Sequence, residues 1–434
     1  MSLVRMALGN YRCFAQRQDI ELRPITVVLG RNNSGKSALV RAPVLLDSGI
    51  HTDAPTPLDL DALGEGLVGL FVDLIHGRRP HGSVNLALTI DGPLSPTRLR
   101  ATVQNINRDR YDTQVVSELE LSQSGILWAR LEWELNDPSE PPRYSVELGD
   151  QAWSDLPIPF HGLLPAEPPL LRRDDASLPN EMVNALLLAL GDFRERFPAV
   201  RYFGPFREQP QRRYLLPARM PKELGSTGLH AAGILASDTA GRQGELIRQV
   251  NAGLAELLPG WRLDLVSRGE VWSVVLRSAA GTDFAVNLAD AGTGVAQALP
   301  IFVQRALDVV SPPDRPVLEI IEQPELHLHP AAHADLADLY LAAVEATPVR
   351  FLIETHSETF LLRLRRRIAE GKVDPDTVAV YFVEQADGSA QARRITIDAD
   401  GNLDYWPTGV FSEDYAETRA LARAQWAKRD ASAS

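Results

Sequence analysis

The sequence is short of cysteine, of long apolar runs and of positive charge. Its one cysteine, Cys13, leaves no disulfide framework and no cysteine-based zinc or iron–sulfur site, and suits a reducing compartment. The best apolar stretch, Val183–Leu190, falls far below the ~20 residues that cross a bilayer, so no membrane role is expected. Met1–Phe14 carries Arg5 and Arg12 without the apolar centre of a signal peptide, which predicts a cytoplasmic protein. Lys and Arg number 44 against 57 Asp and Glu, a formal net charge of −13. That balance argues against a general nucleic-acid coat and leaves local basic patches open. No internal repeat is found, nor a heptad run long enough for a coiled-coil arm. What is present is ordinary globular composition, 434 residues with 44% hydrophobic and 23% charged, enough for two or three domains or for one large core with an insertion.

The order of patterns along the chain predicts an α/β protein. Asp19–Leu22 and Ile25–Leu29 read as strands, followed by a Gly-rich turn and a helix over Lys36–Leu46 that Pro43 should kink or stop. Alternating runs at Val84–Leu88, Thr97–Val103, Val115–Leu121, Ile126–Leu135 and Tyr144–Leu148 predict an antiparallel β layer, closed by the Pro-rich stretch Leu156–Pro169. Glu181–Phe197 and His230–Leu258 predict helices, the second stopped by Pro259-Gly260, and Arg262–Val266 with Trp272–Leu276 predicts a hairpin. The last third returns to strands at Val317–Ile321, Arg350–Ile353 and Thr377–Val383 with helices Ala331–Val344 and Glu358–Ala369 between them. Ala431–Ser434 is expected to be disordered. Five segments result: residues 1–80, the N-terminal part of the core; 81–160, an antiparallel lobe; 161–285, a helical and basic insertion with the hairpin; 286–420, the C-terminal part of the core; and 421–434, a tail.

Four motifs carry chemistry. Gly30-Arg31-Asn32-Asn33-Ser34-Gly35-Lys36-Ser37 fits G-x-x-x-x-G-K-[ST] between a strand and a helix, the context a P-loop requires. Its backbone N–H groups would curl around phosphates, Lys36 would reach the outer phosphates, and the Ser37 hydroxyl would face Mg²⁺. Val317–Glu322 is an apolar strand ending in an acid, the usual second half of such a site, with Glu322 holding Mg²⁺ through water. Glu319, inside that strand, calls for a basic partner. Ile353-Glu354-Thr355-His356-Ser357 is another strand end, where His356 could orient water or sense the γ-phosphate. Asp290–Gln297 sets Gly292, Thr293 and Gly294 before a helix, by itself a weak phosphate-binding signal.

Taken together, these residues resemble the ABC-type ATPases of the SMC/RecF/OLD group, and within it the bacterial AAA-type ATPases encoded beside phage-defence genes. The resemblance covers about residues 1–50 and 285–420, with Gly30–Ser37 as Walker A, Asp290–Gln297 as the signature-like stretch, Val317–Glu322 as Walker B, "IEQPELHLHP" running into the D-loop, and His356 as the switch histidine. It implies a P-loop NTPase with an antiparallel β lobe and an inserted helical subdomain, binding ATP and Mg²⁺. Arg12 in "LVRMALGNYRCF" would lie near the base, and Ala38 would continue the phosphate-binding helix start. It also implies a slow ATPase whose two heads sandwich two ATP molecules, so that Gly292 and Gly294 of one chain face the γ-phosphate held by the other. "GNLDYWPTGVFSED" resembles the C-terminal module of one such branch.

There are departures. The signature serine is missing, with Ala291 and Thr293 in its neighbourhood, and "FVDLIHGRR" offers only Asp73 and His76 where a Q-loop glutamine is expected. Gln323 stands where many relatives have the general-base glutamate, and an amide cannot take a proton as a carboxylate does. Glu325 or His356 then activates the water, or ATP serves mainly as a clamp. His327-Leu328-His329 is read as D-loop rather than a metal pair, and Asp398-Ala399-Asp400 as a turn rather than a nuclease motif. Basic clusters at Arg201–Lys222 and Arg363–Arg367 are either internal ion-pair networks or surfaces for DNA or a partner. Two functions follow: an ATP-driven sensor or scaffold of an anti-phage system with a separate effector, or a RecF-like ATPase that binds DNA directly.

Overall fold

Apolar runs of four to six residues bounded by turn residues suit strands buried on both faces, and here they build one mainly parallel sheet. The structure is a computed structural model and describes residues 3–63, 67–92, 96–108, 111–135, 142–166, 180–281, 284–406 and 417–425. The six-stranded sheet runs Ala199–Phe203, Val317–Glu322, Val349–Glu354, Ile25–Gly30, Val378–Ala386, Ser389–Ile395. All neighbours are parallel except the last pair, a hairpin. Because parallel strands point the same way, Glu322 and Glu354 fall in register at neighbouring carboxyl ends, beside the end of Ile25–Gly30. Ligands of open α/β sheets bind at such ends.

Side chains alternate between the two faces. Val28, Ile320 and Leu352 join an apolar core shared with the antiparallel lobe, while Val27, Ile321 and Ile353 join one formed with the later helices. Glu319 interrupts this pattern without exposure. It is wholly buried and paired with Arg305, with Arg201 at 3.5 Å; Arg305 and Arg201 also bind Asp308 at 2.9 and 2.6 Å. The basic partner that Glu319 demanded therefore exists, and it ties helix Thr293–Val310 to the acidic strand.

The second sheet is antiparallel and eight-stranded, in the order Gln18–Glu21, Leu3–Gly9, Ser83–Ile90, Thr97–Arg108, Tyr111–Gln123, Ile126–Glu134, Arg143–Leu148, Gln151–Pro157. It runs across the division expected at residue 81, since Leu3–Gly9 pairs with Ser83–Ile90. The stretch expected to begin a boundary at Leu156 instead finishes the last strand, with Leu156 paired to Tyr144. Likewise Ala199–Phe203, from the expected insertion, is an edge strand of the core sheet.

The helix after the P-loop breaks as Pro43 required: Lys36–Val40 ends at Arg41 and Ala42–Ile50 resumes. The single helix expected over His230–Leu258 is two, Ala231–Gly241 and Glu245–Leu254, separated by Gly244 at φ +71°. Asp398 accepts from the backbone of Asp400 and Asn402, so this pair of aspartates closes a turn. Residues 407–416 of the C-terminal resemblance and Ala431–Ser434 lie outside the described residues. Among the described residues, no helix is long and apolar enough to cross a membrane.

Candidate functional site

The chain leaves strand Ile25–Gly30 and turns tightly into helix Lys36–Val40. Gly35 takes φ +109°, and a side chain there would meet Cys13 Sγ at 2.5 Å, so glycine is required on both counts. Arg31, Asn32 and Asn33 form the exposed crown, while Ser34 and Lys36 are buried. Lys36 Nζ donates to Arg31 O at 2.7 Å and lies 3.9 Å from Glu354. Burial holds Lys36 below its ordinary pKa against the pull of Glu354. Ser34 Oγ is buried with no hydrogen-bond partner among the described residues.

Opposite this turn stand two carboxylates. Glu322 is gripped at both oxygens by Arg41, Nε at 2.5 Å and Nη2 at 2.8 Å, and receives the Tyr202 hydroxyl at 2.7 Å. Glu354 receives a hydrogen bond from Ser37 and keeps a buried Oε2 without a partner among the described residues. Burial, then the charge of Glu322, raises its pKa. Glu322, Glu354 and Ser37 are hard oxygen donors, the chemistry Mg²⁺ prefers, and the orphaned Oε2 is consistent with a cation there. These residues fit the expected metal.

Beyond Glu322 the chain makes a second turn. Gln323 adopts φ +46°, unusual for a residue with a side chain. Its N–H donates to Glu354 O at 2.7 Å. Glu325 is buried; Oε1 accepts the His356 N–H at 2.7 Å, and Oε2 has no partner among the described residues. Desolvation of the His356 ring, then the charge of Lys36, lowers its pKa. His329 caps helix Pro330–Ala346 through Nδ1 and is not half of a metal pair with the exposed His327.

The signature-like stretch behaves differently from its glycine count. Gly292 caps helix Thr293–Val310 in open space, and Thr293 is exposed. Gly294 packs inward: a Cβ there would sit 2.4 Å from His327 O. Its need for glycine is met within the chain, whatever it faces in an assembly. Arg12 donates to Leu67 O at 2.7 Å, while His76 bonds Arg12 O and Asp73 pairs with Arg78 at 2.7 Å.

The cluster at 363–367 is paired within the fold, while in that at 201–222 the side chains of Arg213, Arg219 and Lys222 are exposed. Arg201 serves Asp308, Arg207 is buried, and Arg212 binds Asp290 at 2.6 Å. Arg363 and Arg367 pair with Asp338, Arg366 with Glu370 at 2.6 Å, and Arg365 donates to Gly401 O at 2.7 Å. Sequence reasoning missed Arg41, Tyr202, Arg207 and Glu354 as neighbours of the site. Only Glu354 left a signal, as a second acid closing an apolar strand.

Two stretches of the chain match known families. Residues 239–361, which hold the signature-like helix, Glu322, Gln323, Glu325 and His356, match the AAA ATPase domain family. Residues 373–421 match a family described as a protein of unknown function (DUF3696). No curated protein matches the sequence. Solved structures with a similar course include an SMC head bound to the C-terminal winged-helix domain of ScpA, at TM-score 0.49 and 12% identity over 92% of this chain and 98% of that one. The SMC head domain of Thermotoga maritima gives 0.42 and 12% over 92% and 100%. The Pyrococcus furiosus Smc head with an extended coiled coil gives 0.42 and 12% over 91% and 96%. The chain has an α/β core sheet and an antiparallel β lobe, and its residues 239–361 are similar to the AAA ATPase domain family.

Proposed function

We propose that this protein is an ABC/SMC-like ATPase that binds ATP with Mg²⁺ and hydrolyses it slowly, using the bound nucleotide as a switch. The observation that carries this reading is the convergence of Lys36, Ser37, Glu354 and Glu322 at adjacent strand ends under a P-loop turn. Lys36 and the backbone of 30–37 would bind the phosphates. Ser37, Glu322 and Glu354 would hold Mg²⁺, which neutralises charge on the outer phosphates. Releasing Glu322 for that task requires Arg41 to let go, so nucleotide loading competes with an internal ion pair.

Slow turnover follows from the turn after Glu322. Gln323 can orient water but cannot accept its proton, and Glu325, the carboxylate left in the turn, is buried with Oε1 holding the His356 N–H. A long-lived ATP state suits a homodimer or larger homo-oligomer closed through Gly292, Thr293 and Gly294. The cytoplasmic anti-phage role with a separate effector rests on the resemblance. It is preferred to the RecF-like reading because Arg201, Arg212, Arg363 and Arg367 pair with carboxylates of the chain. Calorimetry with Mg-ATP tests the site: Lys36→Ala should weaken binding about tenfold or more, through loss of a charge-assisted contact. Unchanged affinity would overturn the assignment.

A further inference from the structure

Arg207 carries a buried charge for which the ATPase reading so far has no use. Its side chain is only 4% exposed, and no ion pair to a carboxylate is found for it among the described residues. The guanidinium instead donates to two main-chain carbonyls at the end of the acidic strand, Glu322 O at 3.1 Å and Gln323 O at 3.4 Å. Nε has no partner. The backbone of the same residue is clasped by one side chain: Gln297 accepts from Arg207 N and donates to Arg207 O, both at 3.1 Å. Gln297 belongs to helix Thr293–Val310, one turn past Gly292 and Gly294.

Desolvating a guanidinium is costly, and carbonyl dipoles repay it less than a carboxylate would. What the arrangement gains is geometry. Gln323 sits at φ +46°, a conformation that persists only when neighbours over-determine it. Arg207 holds the carbonyl of that residue and of the one before it. The clasp therefore joins the helix that opens with the signature-like stretch to the residue in the general-base position.

We infer that Arg207, held by Gln297, is a positioning residue that sets Gln323 and couples its orientation to the signature-like helix. The inference rests on the ATPase reading above. Neither residue belongs to the phosphate-binding turn, so their loss should spare nucleotide affinity and strike turnover.

The test is a double-mutant cycle read by calorimetry and by single-turnover hydrolysis. Gln297→Ala, which leaves the buried charge in place, should keep Mg-ATP affinity within about twofold of wild type while slowing hydrolysis about tenfold. In a Gln323→Ala background the same change should have almost no further effect, because residues acting as a unit are not additive. Arg207→Lys should reproduce this pattern where it folds. Equal loss of affinity and rate, or full additivity with Gln323→Ala, would overturn the inference. A wild-type chain that binds no Mg-ATP would instead overturn the site assignment itself.

Discussion

Two strand ends meet in this molecule, and they are finished in opposite ways. After Gly30 polar groups are loosely held: Ser34 Oγ has no hydrogen-bond partner among the described residues, and Lys36 rests on a loop carbonyl. After Glu322 nearly everything is clasped. Arg41 and Tyr202 hold the carboxylate, Arg207 holds the carbonyls, and Glu325 holds the backbone of His356. On the proposed reading, the first end receives the nucleotide. The second is built to be held in one state, and to be released from it only when something displaces those contacts.

The largest expected effect attacks what supports the clasped end. Arg305→Met removes the main partner of Glu319 and leaves Glu319 and Asp308 buried with one arginine between them. Breaking a buried ion network costs about 3–5 kcal/mol, which denaturant unfolding should report as a lower midpoint at unchanged slope. A loss below ~1 kcal/mol would mean that the network is ornamental.

A smaller effect separates the two glycines of the signature-like stretch. Gly294→Ala pushes a methyl group onto His327 O and should cost about 1–3 kcal/mol. Gly292→Ala enters open space and should stay within ~0.5 kcal/mol. Equal costs in thermal unfolding would deny that Gly294 is fixed by packing within the chain. The smallest effect lies on the surface. Arg366 pairs with Glu370 on an exposed helix turn, so Arg366→Ala should leave Tm unchanged. A clear fall would show that this cluster carries more than a solvated pair.

The same comparison explains what could be read in the sequence. The end at Gly30 is local: eight consecutive residues specify turn, lysine and hydroxyl, so Gly30–Ser37 is legible without a structure. The apolar runs of the core strands and the helix break before Pro43 are local as well. The end at Glu322 is assembled from afar. Arg41 is 281 residues away and Tyr202 is 120 away, and no spacing rule links them. Sheet membership failed for a related reason. Division by chain order puts Leu3–Gly9 with the core and Ala199–Phe203 with the insertion, and only pairing across the chain assigns the first to the antiparallel sheet and the second to the core. Counting arginines left two readings open, because carboxylate partners such as Asp308 for Arg201, 107 residues away, cannot be paired from the sequence.

The most direct test of the account is the single-turnover rate of ATP hydrolysis in wild type and in Gln323→Glu. Wild type should be slow against the ~10 s⁻¹ typical of enzymes, because a neutral amide stands in the general-base position. Gln323→Glu should raise the rate at least about tenfold, since a positioned base contributes about 10²–10⁴-fold. A fast wild-type enzyme whose rate is unmoved by Gln323→Glu and by Glu325→Gln would contradict the account.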